Sequence, residues 1–410
     1  MSKIKSIKAR EILDSRGNPT IEVELLINKD SFLASVPSGA SVGKYEAKEL
    51  RDGEKRYKGK GVLKAVKNIE QIIAPKLKGL NVNNQKRIDE ILITLDGTKD
   101  KSNLGANAIL PVSMAICRAG ANTQNLSLYK YIEKYMGTTC IKLPKPAFNI
   151  INGGAHAGNN LDFQEFMVVP QLKNFNRNLQ AGTEIYHSLK EILKKEFGEI
   201  SINVGDEGGF APNLSKAEEA LNLIMKAIKI SDYQNQIKIA LDVAASEFYK
   251  NKKYKGKTSL EMIDCYLKLI KKYPIVSIED PFNEDDFQAF SNLMKKCENK
   301  INIIGDDLLV TNVERIKLAK EKNLCNGLLL KINQIGTVSE AIEAAKLAKS
   351  YNWKIMVSHR SGETNDDFIA DLAVGIGADY IKSGAPARGE RVAKYNRLLK
   401  IEQELSNIKI

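Results

Sequence analysis

Between residues 237 and 384 short apolar stretches recur, and each one ends in a charged or polar side chain. Residues 237–243 run to Asp242, 274–278 deliver Glu279, and 301–305 deliver Asp306. Residues 327–330 then deliver Lys331, 353–357 deliver His359, and 379–381 deliver Lys382. The stretches between them carry helix-start signals. Thr258 with Glu261, Thr311 with Glu314 and Thr337 with Glu340 each read as a capping box, a hydroxyl at the N-cap and a Glu three positions on. One strand end about every 28 residues is the length of a strand plus a helix, so the segment reads as parallel βα units. A ring of such units is a barrel, and the C-terminal ends of its strands share one mouth. Three carboxylates, two lysines and a histidine would converge there, the composition of a metal-bearing active site.

The totals set the frame. A chain of 410 residues fits two domains, and 43% apolar residues is enough for a proper core. The opening residues lack an apolar h-region, and no apolar run reaches membrane-spanning length. The expected location is therefore cytoplasmic. Cys117, Cys140, Cys265, Cys297 and Cys325 are odd in number and lack CxxC spacing, so they read as reduced core thiols. Lysine and arginine exceed the acids by 62 to 50, a formal charge of +12. Such a surface suits RNA or acidic partners. No aromatic stacking motif accompanies the charge, however, and the dense basic run at 250–257 reads as a loop. Lysines spread over solvated helix faces are the better reading.

Before the repeating segment the pattern differs. Ile21, Val23, Leu25 and Ile27 alternate with Thr20, Glu22, Glu24 and Leu26, as in a half-buried antiparallel strand. A turn cluster at 14–19 precedes it, and a second strand at 31–36 leads into the small-residue loop 37–43. Helical patterns follow at 61–73, 84–95, 106–119 and 128–135. Strands then helices, without alternation, predict a separate α+β cap domain over 1–137. The rest, 138–410, is close to the roughly 250 residues of a (β/α)₈ barrel and is expected to be the catalytic domain. Two apolar strands at 147–151 and 166–169 flank the polar loop 152–165, a hairpin where a crossover would be expected, so the barrel begins irregularly. A helix at 181–197, residues 201–204, the turn Gly205-Asp206-Glu207-Gly208-Gly209 and a capping box at Ser215 and Glu218 follow.

An acid after a strand is most often the N-cap of the next helix, but Thr258 and Thr311 supply those caps. Asp242, Glu279 and Asp306 would then repel one another unless a cation lies between them. Hard oxygen ligands select Mg²⁺. Lys331 and Lys382 face the same mouth. Burial and positive neighbours push a lysine pKa down from roughly 10.4, which frees a neutral amine as a base. The other lysine can stay charged against a substrate anion. Arg360 and Ser361 before Gly362 suit a phosphate or carboxylate, although Arg360 alone would read as surface loop. Of three histidines, His187 lies within a helix and reads as structural. His156 and His359 fall in polar loops at the mouth, with Gln164 and Glu165 closing the loop of His156. Glu207, between glycines that bring backbone close to a ligand, is a candidate acid.

The stretches DSRGNPT, PSGAS, NGGAHAGN, QEFM, GDEGGFAPN, LDVAASEFY, SIEDPF, GDDLLVTN, LLLKINQIG, SHRSGET, GAPAR and RVAKYN, in this order along the whole chain, resemble the enolase family. The resemblance implies an α/β fold, a modified TIM barrel beginning ββαα before its βα units, with an N-terminal α+β cap. It implies reversible dehydration of 2-phosphoglycerate to phosphoenolpyruvate in glycolysis and gluconeogenesis. By residue it implies Asp242, Glu279 and Asp306 as ligands of a first Mg²⁺, and Ser41 as ligand of a second recruited with substrate. Lys331 matches the base at C2 and Glu207 the acid at the C3 hydroxyl. Lys382 matches the cation facing the substrate carboxylate, Arg360 and Ser361 the phosphate clamp, and His156, Gln164, Glu165 and His359 residues lining the substrate. It also implies a homodimer or higher homo-oligomer, with a surface or secreted pool as a further possibility in the family. Two departures stand out: Val42 where the family commonly has threonine, and Gly389 where it has serine. A relative acting on a non-phosphorylated hydroxy acid is disfavoured by Arg360, Ser361 and Glu207. A binding protein for RNA or a host ligand is disfavoured by the intact acid, base and metal residues.

Overall fold

The computed structural model describes residues 2–40, 43–53 and 55–407. Ser41 and Val42 lie outside the described residues. The alternation at 20–27 becomes strand β2 (Pro19–Ile27), whose Ile21, Val23, Leu25 and Ile27 are fully buried. It pairs antiparallel with β1 (Ile4–Leu13) on one side and β3 (Asp30–Ser35) on the other. β1 has no signal in the sequence because only Ile4 and Ile7 are buried and its remaining positions are lysine-rich edge. The apolar helix Ala106–Thr123 covers this meander, and helices Gln85–Asp96 and Leu128–Met136 complete the cap.

The second part is a closed eight-stranded barrel. Its staves are β4 (Lys145–Asn152), β5 (Glu165–Pro170), β6 (Ile237–Asp242), β9 (Ile275–Glu279), β10 (Asn302–Gly305), β11 (Gly327–Leu330), β12 (Lys354–Ser358) and β13 (Tyr380–Lys382), and β13 closes on β4. The two-residue strands β7 (Tyr249–Lys250) and β8 (Lys253–Tyr254) form a side ribbon over the basic run expected as loop. β5 runs antiparallel to both neighbours, and every other pair is parallel. Helices Phe175–Phe197 and Ala217–Ile230 lie between β5 and β6, so the barrel starts ββαα and continues in βα units.

Strand periodicity decides what reaches the mouth. Ala147, Met167, Val169, Ala240, Ile304, Leu329 and Met356 form a separate small apolar cluster, the filling of the barrel. Side chains two apart share a face. Asn149, Glu165, Asp242, Asp306, Lys331 and Ser358 each stand two positions from one of these residues, on the mouth side. The out-of-phase residues Ile239, Leu241, Ile278 and Val357 pack into the main core beneath the helices.

Two local expectations change. Helix Val313–Glu321 is capped by Asn312, whose side chain accepts from Glu314 and Arg315 amides, and not by Thr311. Thr311 is buried at φ 55°, and its hydroxyl is drawn inward by the Lys331 amide and Gln334. The Ser215 box shifts by one residue, because Glu219 reaches back to both the Ser215 and Lys216 amides. Residues Glu199–Ile202 form a single 3₁₀ turn. Thr258 and Thr337 cap as read. All five cysteines are free, and Cys117, Cys297 and Cys325 are buried. Among the described residues no helix is long and apolar enough to cross a membrane.

Candidate active site

Cross-strand register sets the acids side by side. Glu165 on β5 pairs with Asp242 on β6, and Asp242 with Glu279 on β9. Lys382 enters from β13 on the opposite side, and its Nζ donates to Glu279 at 2.8 Å and to Asp242 and Glu165 at 3.3 Å. All four groups are at least 97% buried. Burial raises the Glu279 pKa well above normal, and the Asp242 charge adds to it. Burial and the Glu207 charge do the same to Glu165. Burial opposes the Lys382 charge, but the surrounding carboxylates hold its pKa well above the lysine norm.

Asp306 stands one strand further round. It receives Lys331 Nζ at 2.5 Å and Gln334 Nε2 at 2.7 Å. Asp280 orients it from behind, accepting the amides of Asp306 at 2.9 Å and Asp307 at 2.6 Å. The lysine expectation needs correction in this state. Burial lowers the Lys331 pKa, but the Asp306 charge outweighs it and the net shift is upward, so Lys331 is an ammonium here. Arg360 and Lys382 push the other way and act on Lys331 whenever Asp306 releases it.

On the other wall, Glu207 is buried between two imidazoles. His156 Nδ1 and His359 Nε2 each lie 3.4 Å from Oε1, and Asn149 Nδ2 donates to Oε2 at 2.9 Å. Burial would raise this carboxyl, but the His359 and His156 rings and Arg391 behind them hold it well below normal. Glu165 and Glu207 thus form a pair pushed apart, the first toward the protonated form and the second toward the ionised one. Gly205 and Gly209 permit the turn, since a Cβ at either would meet His156 or Asn152 atoms at about 2.5 Å or less. Arg360 completes the ring. It forks onto Glu46 of the cap at 2.9 and 3.2 Å and reaches Asn333 at 3.1 Å. Ser361 Oγ accepts the Ala40 amide at 2.6 Å, so the clamp residues join cap to barrel.

Glu165, Glu207, the two histidines, Lys331, Arg360, Ser361 and Lys382 line one small cavity of about 20 Å³, room for about one water, whereas Asp242, Glu279 and Asp306 are not part of its lining. Surface hollows of about 610 and 630 Å³ lie elsewhere and gather no comparable set. Chemistry rather than size locates the site. Among the described residues, ligand atoms lie within 4.8 Å of one another in the sets His156–Glu165–Glu207 and Asp280–Asp306–Asp307. Asp242, Glu279 and Asp306 are not drawn so close, because Lys382 and Lys331 engage them. Among the described residues Glu279 Oε2 is nevertheless buried with no hydrogen-bond partner. An orphaned carboxylate oxygen beside two further acids is a donor set that fits a hard divalent cation.

Two family models cover this architecture: that described as Enolase, N-terminal domain, matches residues 4–132, and that described as Enolase, C-terminal TIM barrel domain, matches 140–410. The chain belongs to the enolase family. It is similar to Enolase B of Dictyostelium discoideum, 57% identical over 423 aligned positions that span 99% of this chain and 96% of that protein. Enolase of Mastigamoeba balamuthi is 53% identical over the same spans. As a member of the enolase family the chain is a hydro-lyase.

Several supporting residues of this enolase-family site carry no sequence signal of their own. Asn149 on Glu207 and Glu46 on Arg360 are found only by three-dimensional contact, whereas Thr311 and Gln334 beside Lys331 fall in the stretches GDDLLVTN and LLLKINQIG with no hint of their partners. Asp280 had a clue, since it follows Glu279 directly. Arg391 is marked only by the stretch RVAKYN.

Proposed function

We propose that this chain catalyses the reversible dehydration of 2-phosphoglycerate to phosphoenolpyruvate, a step of glycolysis and gluconeogenesis, in an active site that requires Mg²⁺. Lys331 Nζ takes the C2 proton, and the Glu207 side supplies the proton with which the C3 hydroxyl leaves as water. Asp242, Glu279 and Asp306 would hold one Mg²⁺, and Ser41 would belong to a second that arrives with substrate. When bound, these ions supply Lewis-acid stabilisation of the doubly negative carboxylate that forms as C2 loses its proton.

The chain's own groups account for the rest. An ammonium has no lone pair with which to accept the C2 proton, so Lys331 must first be freed from Asp306 and lose its own proton. The Arg360 and Lys382 charges then depress its pKa and leave a neutral amine. Lys382 remains charged and meets the carboxylate, where charge develops. Glu207 and Glu165 share one proton between two buried carboxyls, and the arriving anionic substrate raises the affinity of both for it. Arg360 and Ser361 grip the phosphate with donors set by Glu46 and by the Ala40 backbone.

The observation that carries this reading is that one cavity is lined both by Lys331, which follows stave β11 and is held by Asp306, and by the histidine-flanked Glu207 with Glu165 of stave β5, four staves round the barrel. Anti elimination needs base and acid on opposite faces of the substrate. Phosphoenolpyruvate formation from 2-phosphoglycerate, with and without Mg²⁺ and chelator, tests it. No metal-dependent product would sink the reading. A chain division at 137/138, a cytoplasmic location and a homo-oligomer accompany it, the last checked by sedimentation.

A further inference from the structure

The Arg391 side chain is fully buried, and the reaction described above gives it no part. It rises from the start of helix Gly389–Asn407 and passes Gly384, where a Cβ would stand 3.0 Å from Arg391 Cδ and 2.4 Å from the Glu207 carbonyl oxygen. Gly384 has φ +73° and allows that approach. Nη1 donates to Arg360 O at 2.6 Å, and Nη2 donates to Ser361 O at 2.6 Å and Asp206 O at 2.9 Å. Nη1 also meets Nδ1 of His359 at 2.6 Å.

That last contact has one chemical solution. A guanidinium only donates, so Nδ1 must accept, and the single proton of a neutral imidazole then sits on Nε2. The ring is neutral at physiological pH, because burial holds its pKa down to about 4. Nε2 is the nitrogen that faces Glu207 Oε1 at 3.4 Å. The other tautomer would set N–H against N–H at Arg391 and a lone pair against the Glu207 carboxylate.

We propose that Arg391 is a positioning residue that locks His359 in the Nε2–H form and so keeps an N–H, not a lone pair, facing Glu207 across the 3.4 Å gap. Its carbonyl bonds hold the 359–361 loop to the Glu207 turn while it does so. Arg391 acts through His359 and touches no reacting atom. The catalytic part of the proposal rests on the reading of Glu207 above, whereas the tautomer does not.

The test uses the full chain with ¹⁵N-labelled histidine rings. Only His156, His187 and His359 contribute, and H359Q assigns the third. The expected wild-type spectrum shows His359 with its proton on Nε2 alone. A proton on Nδ1, or on both nitrogens at neutral pH, overturns the proposal. R391K keeps the charge but loses the fork, so His359 becomes a tautomer mixture and kcat falls about 100-fold. In an H359Q background the same R391K change should cost less than about 5-fold, since the partner it acts through is gone. Equal cost in both backgrounds would reduce Arg391 to a general packing role and refute the proposal. Should R391K not fold, the wild-type spectrum still decides. The expected tautomer in a protein with no activity on 2-phosphoglycerate would refute the functional reading and leave the lock standing.

Discussion

Replacing Lys382 with methionine tests the electrostatics of the mouth without touching its shape. The ammonium is the shared partner of Glu279, Asp242 and Glu165 at 2.8–3.3 Å, and the side chain is 2% exposed. Removing one partner of a buried ionic cluster costs about 3–5 kcal/mol. With an unfolding entropy of about 2.1 cal/mol/K per residue, a chain this long loses roughly one degree of Tm per kcal/mol, so Tm should drop by about 4–6 °C. The pH dependence gives the sharper sign. Glu279 and Glu165 already have raised pKa values, and losing Lys382 raises them further. The folded variant then binds more protons than its unfolded chain, so its stability falls as pH rises above the normal glutamate pKa of about 4.3. The deficit against wild type should be small near pH 5 and grow toward pH 8. Saturating Mg²⁺ should raise the Tm of K382M by more than it raises the wild type, because an added cation does more where the internal one is missing. Differential scanning calorimetry with EDTA or Mg²⁺ across that range is the assay. A variant that melts within about a degree of wild type at pH 7.5 in EDTA, or one whose deficit grows toward acid, refutes the reasoning.

Four further outcomes are expected. E207Q should retain exchange of the C2 proton with solvent while phosphoenolpyruvate formation falls by about 10²–10⁴-fold; equal loss of both would reverse the acid assignment. K331A should lose the exchange itself, read by deuterium uptake into 2-phosphoglycerate. R360K, which cannot fork onto Glu46 or a phosphate, should raise KM for 2-phosphoglycerate by about 10-fold or more, measured by initial rates. His359, with a pKa of about 4 when folded against about 6.5 unfolded, should contribute stability that is present above pH 6.5 and lost as pH falls toward 4. That loss is up to about 3 kcal/mol, and in acid melts it should be missing from H359Q.

The barrel was legible because its strands state their length and their inward phase in a few residues. Asp242, Glu279, Asp306, Lys331 and Lys382 each lie at a strand end that apolar runs announce. Capping followed where a hydroxyl and a glutamate suffice, at Thr258 and Thr337. It failed at Thr311, because Lys331 and Gln334 claim that hydroxyl from another strand. β1 was hidden because a lysine-rich edge strand buries too little to alternate. The protonation of Lys331 was also out of reach, since it depends on which partner Asp306 holds. Asn149 and Glu46 are ordinary residues in ordinary sequence, Arg391 is marked only by the stretch RVAKYN, and the folded chain alone brings the three to Glu207, Arg360 and His359.

The reversed stave β5 has a geometrical effect on what the mouth can contain. In a ring of strands all pointing one way, only their last residues arrive at the reacting face, and a strand's first residue is spent at the floor. Because β5 descends where its neighbours climb, its opening residue, Glu165, stands level with Asp242 at the rim. The same U-turn from β4 drapes the segment bearing His156 and Gln164 across that rim, with no helix needed to carry the chain back up. One inverted strand thus brings a carboxyl, an amide and an imidazole to the rim by a short hairpin, in a place where eight identical units would have offered a single strand end.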